Sequence, residues 1–326
     1  MSDEWKRRVK EVFSKNKQAY VDSATHRKQS DLEAIVEWLT PTPAQKALDI
    51  ATGGGHVSRA LSPYCGIVFA TDLTKDMLEN TAYHLSSYKN IEYIIADAEG
   101  LPFIEKTFDI VTCRIAPHHF PSPDTFVMEV TRVLKETGKF LLIDNIAPED
   151  KKLDQFYNHF EKKRDYSHVR ALKISEWEQL FIKNGLSIKN SLTRKKRMPF
   201  QDWVSRTTDN EANQKEIESL FRQASPEAKC HFSICEENGQ IQSFAIDEYM
   251  VLVEKIFLLT NNPPPHWENK RGIEFVCEVE INGYSRNGPC PIWNIARIPH
   301  HLCHNWCWSP CDDHHCGSLT FYKKRP

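Results

Sequence analysis

The chain has 326 residues, 40% apolar and 26% charged, with a formal net charge of −2. That length allows one large domain or two modest ones with a substantial core. The near balance of charge excludes a global electrostatic pull toward nucleic acid or anionic lipid, so neither a nucleic acid nor a membrane is expected as a partner.

The opening "MSDEWKRRVKEVF" is charged from its start and lacks the apolar stretch of a signal peptide. No run of about 18 apolar residues is present to span a bilayer. The expected compartment is therefore the cytoplasm. Helices are expected over 5–39, where Trp5, Val9, Val12 and Phe13 share one face and Asp31 reads as the N-cap of the segment ending at Leu39. Pro41 and Pro43 stop that segment.

From Lys46 strand and helix alternate. Strands are expected at 46–51, 67–71, 91–96, 108–113 and 139–144, and helices at 56–62, 75–87 and 124–135, the last with Phe126, Val127, Val130, Val133 and Leu134 on one face. Regular alternation specifies a parallel sheet with helices on both faces. A helix at 175–184, closed by Gly185, and strands at 187–193 and 243–253 follow. Residues 150–165 and 199–224 read as helical insertions, with Leu153, Phe156, Tyr157 and Phe160 on the inner face of the first.

Three consecutive glycines in "ALDIATGGGHVSRAL" (47–61) lie between the first strand and the first of the alternating helices. A P-loop requires Gly-Lys-Ser/Thr, but His56 and Val57 follow Gly55. A dinucleotide fingerprint is met by Gly53 and Gly55 but not by Ser58 in the third place. Asp49, near the end of the first strand, would repel a pyrophosphate and suits a ligand carrying an ammonium and a sulfonium. Asp72 closes the second strand, where a carboxylate can accept both ribose hydroxyls. Asp97 closes the third, placed for an adenine amino group, with the Ala98 N–H available to a ring nitrogen. Three such carboxylates face one crevice and fit a cationic nucleoside with a free amino-acid end.

Six stretches in order, "LDIATGGGHVS" (48–58), "ATDLTKDML" (70–78), "ADAEGLPF" (96–103), "FDIVTCRIAPHHFPSP" (108–123), "EVTRVLKETGKFLLIDN" (129–145) and "SEWEQLFIKNGL" (175–186), carry a resemblance. The chain resembles the class I S-adenosylmethionine-dependent methyltransferases, in the small-molecule branch similar to the ubiquinone/menaquinone C-methyltransferases. The resemblance implies a doubly wound, seven-stranded, mostly parallel Rossmann-like sheet whose last strand is antiparallel. It also implies S-adenosyl-L-methionine as cofactor and contacts to it from Asp49, Gly53, Gly55, Asp72, Asp97 and Ala98. Ala51, Leu73, Met77 and Arg114 flank these positions and are counted with them. "KETG" (135–138) departs from the family's Pro-Gly-Gly-like turn, far from the cofactor.

The loop after the fourth strand, "RIAPHHFPSP" (114–123), borders the crevice, so Arg114, His118 and His119 are the candidates to face the transferred methyl group. One histidine can act as a base while the other packs; equally, both can be scaffold stiffened by Pro117, Pro121 and Pro123. Arg114 either orients a substrate anion or pairs with a neighbouring acid. The resemblance implies that the helices before the first strand (1–45) form a lid, with Tyr20, Ser23 and His26 toward the substrate chamber. Phe156, Tyr157, Phe160, Trp203 and Phe221 suggest an apolar acceptor or a core.

The resemblance ends near Lys255, which makes 46–255 the S-adenosylmethionine-binding domain. Residues 256–326 hold six of the ten cysteines, four of the eight tryptophans and eight of the eighteen prolines. Cys303, Cys307, Cys311 and Cys316 offer a tetrahedral zinc set, but their spacing matches none of the familiar knuckle pairs. An irregular, poorly ordered extension without metal is the reading favoured. The expected function is methyl transfer to the carbon, oxygen or nitrogen of a small molecule. The rivals are a non-catalytic cofactor- or zinc-binding protein and an RNA methyltransferase, the latter opposed by the lack of a basic domain and of an Asn-Pro-Pro-Tyr-type motif at the fourth strand.

Overall fold

The computed structural model describes residues 2–22, 29–208, 210–256, 275–276 and 322–323. The chain divides into two units, Met1–Ile256 and Phe257–Pro326. In the first, α1 (Ser2–Asp22) and α2 (Gln29–Leu39) precede β1 (Lys46–Ile50), α3 (His56–Leu61), β2 (Ile67–Asp72), α4 (Lys75–His84), β3 (Ile91–Ile95) and β4 (Phe108–Arg114). A 3-10 turn (Pro117–His119), α5 (Pro123–Val133), β5 (Leu134–Ile146), α6 (Lys151–Arg164), α7 (Ile174–Lys183) and β6 (Leu186–Pro199) follow. Last come α8 (Phe200–Ser205), α9 (Glu211–Arg222), α10 (Pro226–His231), β7 (Cys235–Glu237) and β8 (Gln240–Lys255). The second unit shows one antiparallel pair, β9 (Phe275–Val276) with β10 (Tyr322–Lys323). Cys303, Cys307, Cys311 and Cys316 lie outside the described residues, as do His26, Ser23 and the side chain of Tyr20.

The sheet runs β3-β2-β1-β4-β5-β8-β6, with β7 added as a hairpin on β8. β1 to β5 are parallel, and β8 enters antiparallel between β5 and β6. This is the doubly wound sheet expected, with one hairpin strand more.

Alternation along each strand decides which helices it meets. Leu48, Ile50, Val111, Phe140, Leu142 and Val251 point to one face and pack under Phe126 and Val130 of α5 and Trp177 and Phe181 of α7. Their neighbours Ala47, Ile110, Leu141, Ile143, Met250 and Leu252 point to the other, under Ile35 and Leu39 of α2 and Val57 and Leu61 of α3. Both faces are buried, as parallel strands require. The helices start where a side chain satisfies their free N–H groups: Ser122 accepts from Thr125 ahead of α5, Asp150 from Lys152 and Leu153 ahead of α6, and Ser225 from Ala228 ahead of α10.

β5 starts earlier than the sequence pattern suggests, at Leu134 beside Phe108, while β6 and β8 run longer and their far paired ends reach a third core. There Phe244 and Ile246 of β8 pack with Tyr157, Phe160, Trp203 and Phe221 from α6, α8 and α9. The aromatic residues of the insertions thus form a core of their own.

Asp31 does not cap α2; it lies within the helix, 2% exposed, and pairs with Arg114 Nη2 at 3.2 Å and Arg194 Nη1 at 2.8 Å. Arg194 also binds Glu248, which accepts from Lys196 Nζ at 3.2 Å. Four elements, α2, β4, β6 and β8, are therefore tied by one buried chain of charges.

Candidate active site

The glycine turn is organised by the acid in front of it. Asp49 is 1% exposed. Its Oδ2 accepts from Thr52 Oγ1 (2.6 Å), Ser58 Oγ (2.7 Å) and Ser58 N (3.2 Å), and its Oδ1 from Thr112 Oγ1 (2.9 Å). Burial raises the Asp49 pKa, and these hydrogen bonds pull it back toward the ionised form. The carboxylate borders the cleft, yet its hydrogen bonding goes to the turn. What it offers a ligand is a buried negative charge with no ion pair among the described residues.

Ala51, Gly53 and Gly55 all have positive φ, at 53°, 52° and 74°. A Cβ on Gly53 would have nothing within 4 Å, whereas one on Gly55 would lie 2.5 Å from Thr81 Cγ2 and 2.6 Å from Leu85 Cδ1. Gly53 therefore opens onto the cleft, and Gly55 lets α4 pack under the turn. Gly55 is not among the residues that line the cleft. Met77 lies outside it too, fully buried within α4.

The cleft encloses about 980 Å³, part of it open to solvent, at the carboxyl ends of β1 to β4. Ala51, Leu73, Ala98 and Arg114 line it with the three acids. Asp72 accepts from Gly53 N (3.1 Å) and Thr74 N (2.9 Å). Burial pushes its carboxyl up to about 6 against those two N–H groups. Asp97 accepts from Glu99 N at 2.9 Å and meets Lys6 Nζ at 2.6 Å. Lys6 also reaches Glu99 at 2.9 Å, which brings α1 across the cleft with Val9 and Phe13.

Beyond β4 the chain turns at Ile115, whose φ of 53° is strained for a β-branched residue. That turn delivers two histidines. The Asp144 carboxylate accepts from the His118 backbone N–H at 3.1 Å, and its other oxygen lies 2.7 Å from His118 Nδ1. Burial opposes the His118 charge, but Asp144, with Glu161 and Asp165 behind it, outweighs burial and raises the pKa. His119 is pushed down to about 4, first by burial and then by the His118 charge. Its Nδ1 lies 3.1 Å from the Ser167 carbonyl oxygen, and its ring meets Phe13 edge-on at 5.2 Å. The His118 carbonyl accepts from Val169 N and Arg170 N, which clamps the turn against the loop after α6.

A second cavity of about 520 Å³, part of it open to solvent, adjoins the cleft and shares Phe13, Ile115 and His119 with it. His118 borders only this second cavity, so the histidine pair straddles the two. Arg114 borders the cleft while bound to Asp31. Sequence reasoning missed Lys6, Phe13, Glu99, Ile115, Asp144 and Lys196. Only Asp144 carried a local signal, as an acid at the end of the fifth strand.

A doubly wound sheet of this order, with acids from three successive strands around one cleft, defines an α/β enzyme of the nucleoside-binding kind. The sequence profile of the methyltransferase domain matches residues 48–142. The Bacillus subtilis uncharacterized methyltransferase YcgJ is 36% identical over 242 residues, 73% of this chain and 96% of its own length. Its crystal structure superposes with a TM-score of 0.68, over 70% of this chain and 98% of that one. A crystal structure from Bacillus halodurans, 38% identical, gives the same TM-score of 0.68 over 70% of this chain and all of that one. The Roseobacter denitrificans ubiquinone/menaquinone biosynthesis C-methyltransferase UbiE is 32% identical over 117 residues, 34% of this chain and 47% of its own length. The chain belongs to the S-adenosylmethionine-dependent methyltransferases. No helix among the described residues is long and apolar enough to cross a membrane.

Proposed function

We propose that this methyltransferase moves a methyl group to the carbon, oxygen or nitrogen of a small-molecule acceptor. One observation carries the reading: the cleft bordered by Asp49, Asp72 and Asp97 adjoins, across His119, a second cavity of small-molecule size. The donor set suits S-adenosylmethionine, because Gly53 leaves bare backbone at positive φ and Asp49, Asp72 and Asp97 set three carboxylates around the cleft. Asp72 takes the ribose hydroxyls, Asp97 and the Ala98 N–H take the adenine, and the charge of Asp49 favours the cationic amino-acid end. S-adenosylmethionine supplies a methyl group on a sulfonium that is already electrophilic, so the protein's task is alignment.

The remaining work falls to the residues between the cavities. His119, held by Ser167 and kept neutral by burial, shapes the passage; His118, oriented by Asp144, holds or moves the acceptor's proton. Residues 1–45 act as the lid over the domain formed by 46–255, with Lys6, Val9 and Phe13 as its cleft-facing contacts. Titration calorimetry with S-adenosylhomocysteine, followed by incubation with labelled S-adenosylmethionine and a metabolite extract, tests the proposal. Binding and label in a metabolite are expected; binding without transfer of label, or label in RNA, would overturn it. Truncation after Lys255 is expected to leave the affinity unchanged.

A further inference from the structure

We propose that Lys6 is a built-in rival of the methyl donor: its ammonium holds the oxygen of Asp97 that the adenine amino group takes, so α1 must release this contact before the nucleoside can seat. The inference rests on the functional reading above, in which Asp97 receives the adenine, and deepens it. Both oxygens of Asp97 are engaged. Oδ1 accepts from the Glu99 N–H at 2.9 Å, a bond within the turn after β3, and Oδ2 lies 2.6 Å from Lys6 Nζ on α1.

An arriving amino group therefore meets an oxygen already bound to a cation. A contact between ammonium and carboxylate is stronger than the hydrogen bond of a neutral amino group, so the donor displaces Lys6 only through its remaining contacts in the cleft. Glu99 adds to the hold: its Oε2 lies 2.9 Å from the same ammonium, and its Oε1 accepts from the Ser122 N–H at 2.5 Å. Lys6 is thus placed by two carboxylates, of which the ligand needs one.

The helix behind the lysine is held at further points. Lys6, Val9 and Phe13 recur at three- and four-residue steps, so they share one face of α1, and all three line the cleft. The Phe13 ring meets His119 edge-on at 5.2 Å, and Lys162 Nζ lies 3.9 Å over the Trp5 ring. Salt has little effect on a contact between rings. The Lys6–Asp97 pair, with side chains 20% and 33% exposed, stays open to mobile ions. The ionic part of the closure is therefore the part that salt loosens.

The test uses the full chain and S-adenosylhomocysteine, with affinity read by titration calorimetry and association rate by stopped-flow fluorescence. Lys6→Met should bind about threefold more tightly and associate about threefold faster than the unaltered protein, the factor expected when a partly exposed ion pair is removed. Lys6→Arg, which keeps the cation, should stay within about twofold of the unaltered protein. Raising salt from about 50 to about 500 mM should speed association with the unaltered protein about twofold and leave Lys6→Met unchanged. Weaker or equal binding by Lys6→Met, an equal gain from Lys6→Arg, or a rate on the unaltered protein that salt leaves level or slows overturns the inference. Failure of S-adenosylhomocysteine to bind the unaltered protein and the variants alike strikes the functional reading first and this inference with it. The salt series is measured on the unaltered protein, so it stands even if a variant fails to fold.

Discussion

His118 Nδ1, in the turn after β4, and Asp144 Oδ1, near the end of the adjacent β5, lie 2.7 Å apart, 26 positions distant in sequence. The same carboxylate receives the His118 backbone N–H, so one acid sets both the position and the charge of the ring. Asp144→Asn removes the charge that outweighs burial. The His118 Cε1–H titration should then move from above the ordinary value of about 6.5 to below it, as read by NMR. Glu161 and Asp165 also favour the charged ring, while the rings of His119 and His168 face it from the neighbouring turn and loop. The sign for stability follows: a raised folded-state pKa gives a contribution fully present below about 6.5 and lost as pH rises through the folded value. Transfer of label should fall about 100-fold or more in the variant, with S-adenosylhomocysteine affinity kept within twofold. A titration unmoved by the substitution would rule the pairing out as the cause.

Asp72, with a carboxyl pushed up to about 6, must be ionised to accept two hydroxyls. Affinity for S-adenosylhomocysteine should be level above that pH and fall about tenfold per unit below it, with proton release on binding near pH 6. Asp72→Asn sets an amide Nδ2 in place of one of the two oxygens that accept from Gly53 N and Thr74 N, so apo stability should fall by about 1 kcal/mol or more while the ligand is weakened. Calorimetry in two buffers of different ionisation enthalpy checks the first point and urea unfolding the second. A pH-independent affinity between pH 5 and 7 would exclude Asp72 from the contact.

Two glycines in one turn should answer alanine differently. Gly53→Ala meets no atom within 4 Å, so its cost is backbone strain of about 1–2 kcal/mol. Its Cβ enters the cleft, and S-adenosylhomocysteine affinity should drop at least tenfold. Gly55→Ala adds contacts of 2.5 and 2.6 Å with Thr81 and Leu85 to the same strain, so its loss of stability should be the larger by about 1 kcal/mol or more. Thermal unfolding with and without ligand separates the two effects.

Asp31→Ala leaves Arg114 and Arg194 without the acid they share, deep between α2 and the sheet. The expected loss is about 3–5 kcal/mol by chemical denaturation, the range for breaking a buried ion pair from one side. A change under about 1 kcal/mol would show that solvent reaches the network.

The parallel sheet was legible because strand after strand in this chain reads as an apolar run bounded by turns, and the place of Asp72 and Asp97 on the cleft wall was legible because clefts of such sheets open at strand ends. The limits have physical reasons. Gly55 fits the glycine pattern, but its close packing against Thr81 and Leu85 of α4 is not revealed by spacing. Met77 sits in a motif yet points into the core. Asp31 has the look of a helix cap, and its arginine partners come from strands 83 and 163 positions away. Lys6 and Lys196 resemble any solvated lysine until the fold carries one to Asp97 and the other to Glu248. Tyr20 and His26, expected at the lid, lie outside the described side chains, while Lys6, Val9 and Phe13 meet the cleft from the same stretch of chain.

The third core, built from Tyr157, Phe160, Trp203, Phe221 and Phe244, is separate from the two that flank the sheet. Met198, Trp203 and Ile246 of this core wall the second cavity, whereas the cleft beside Asp49, Asp72 and Asp97 is backed by the cores that flank the sheet. Repacking the wall of one space therefore leaves the side chains that support the other in place.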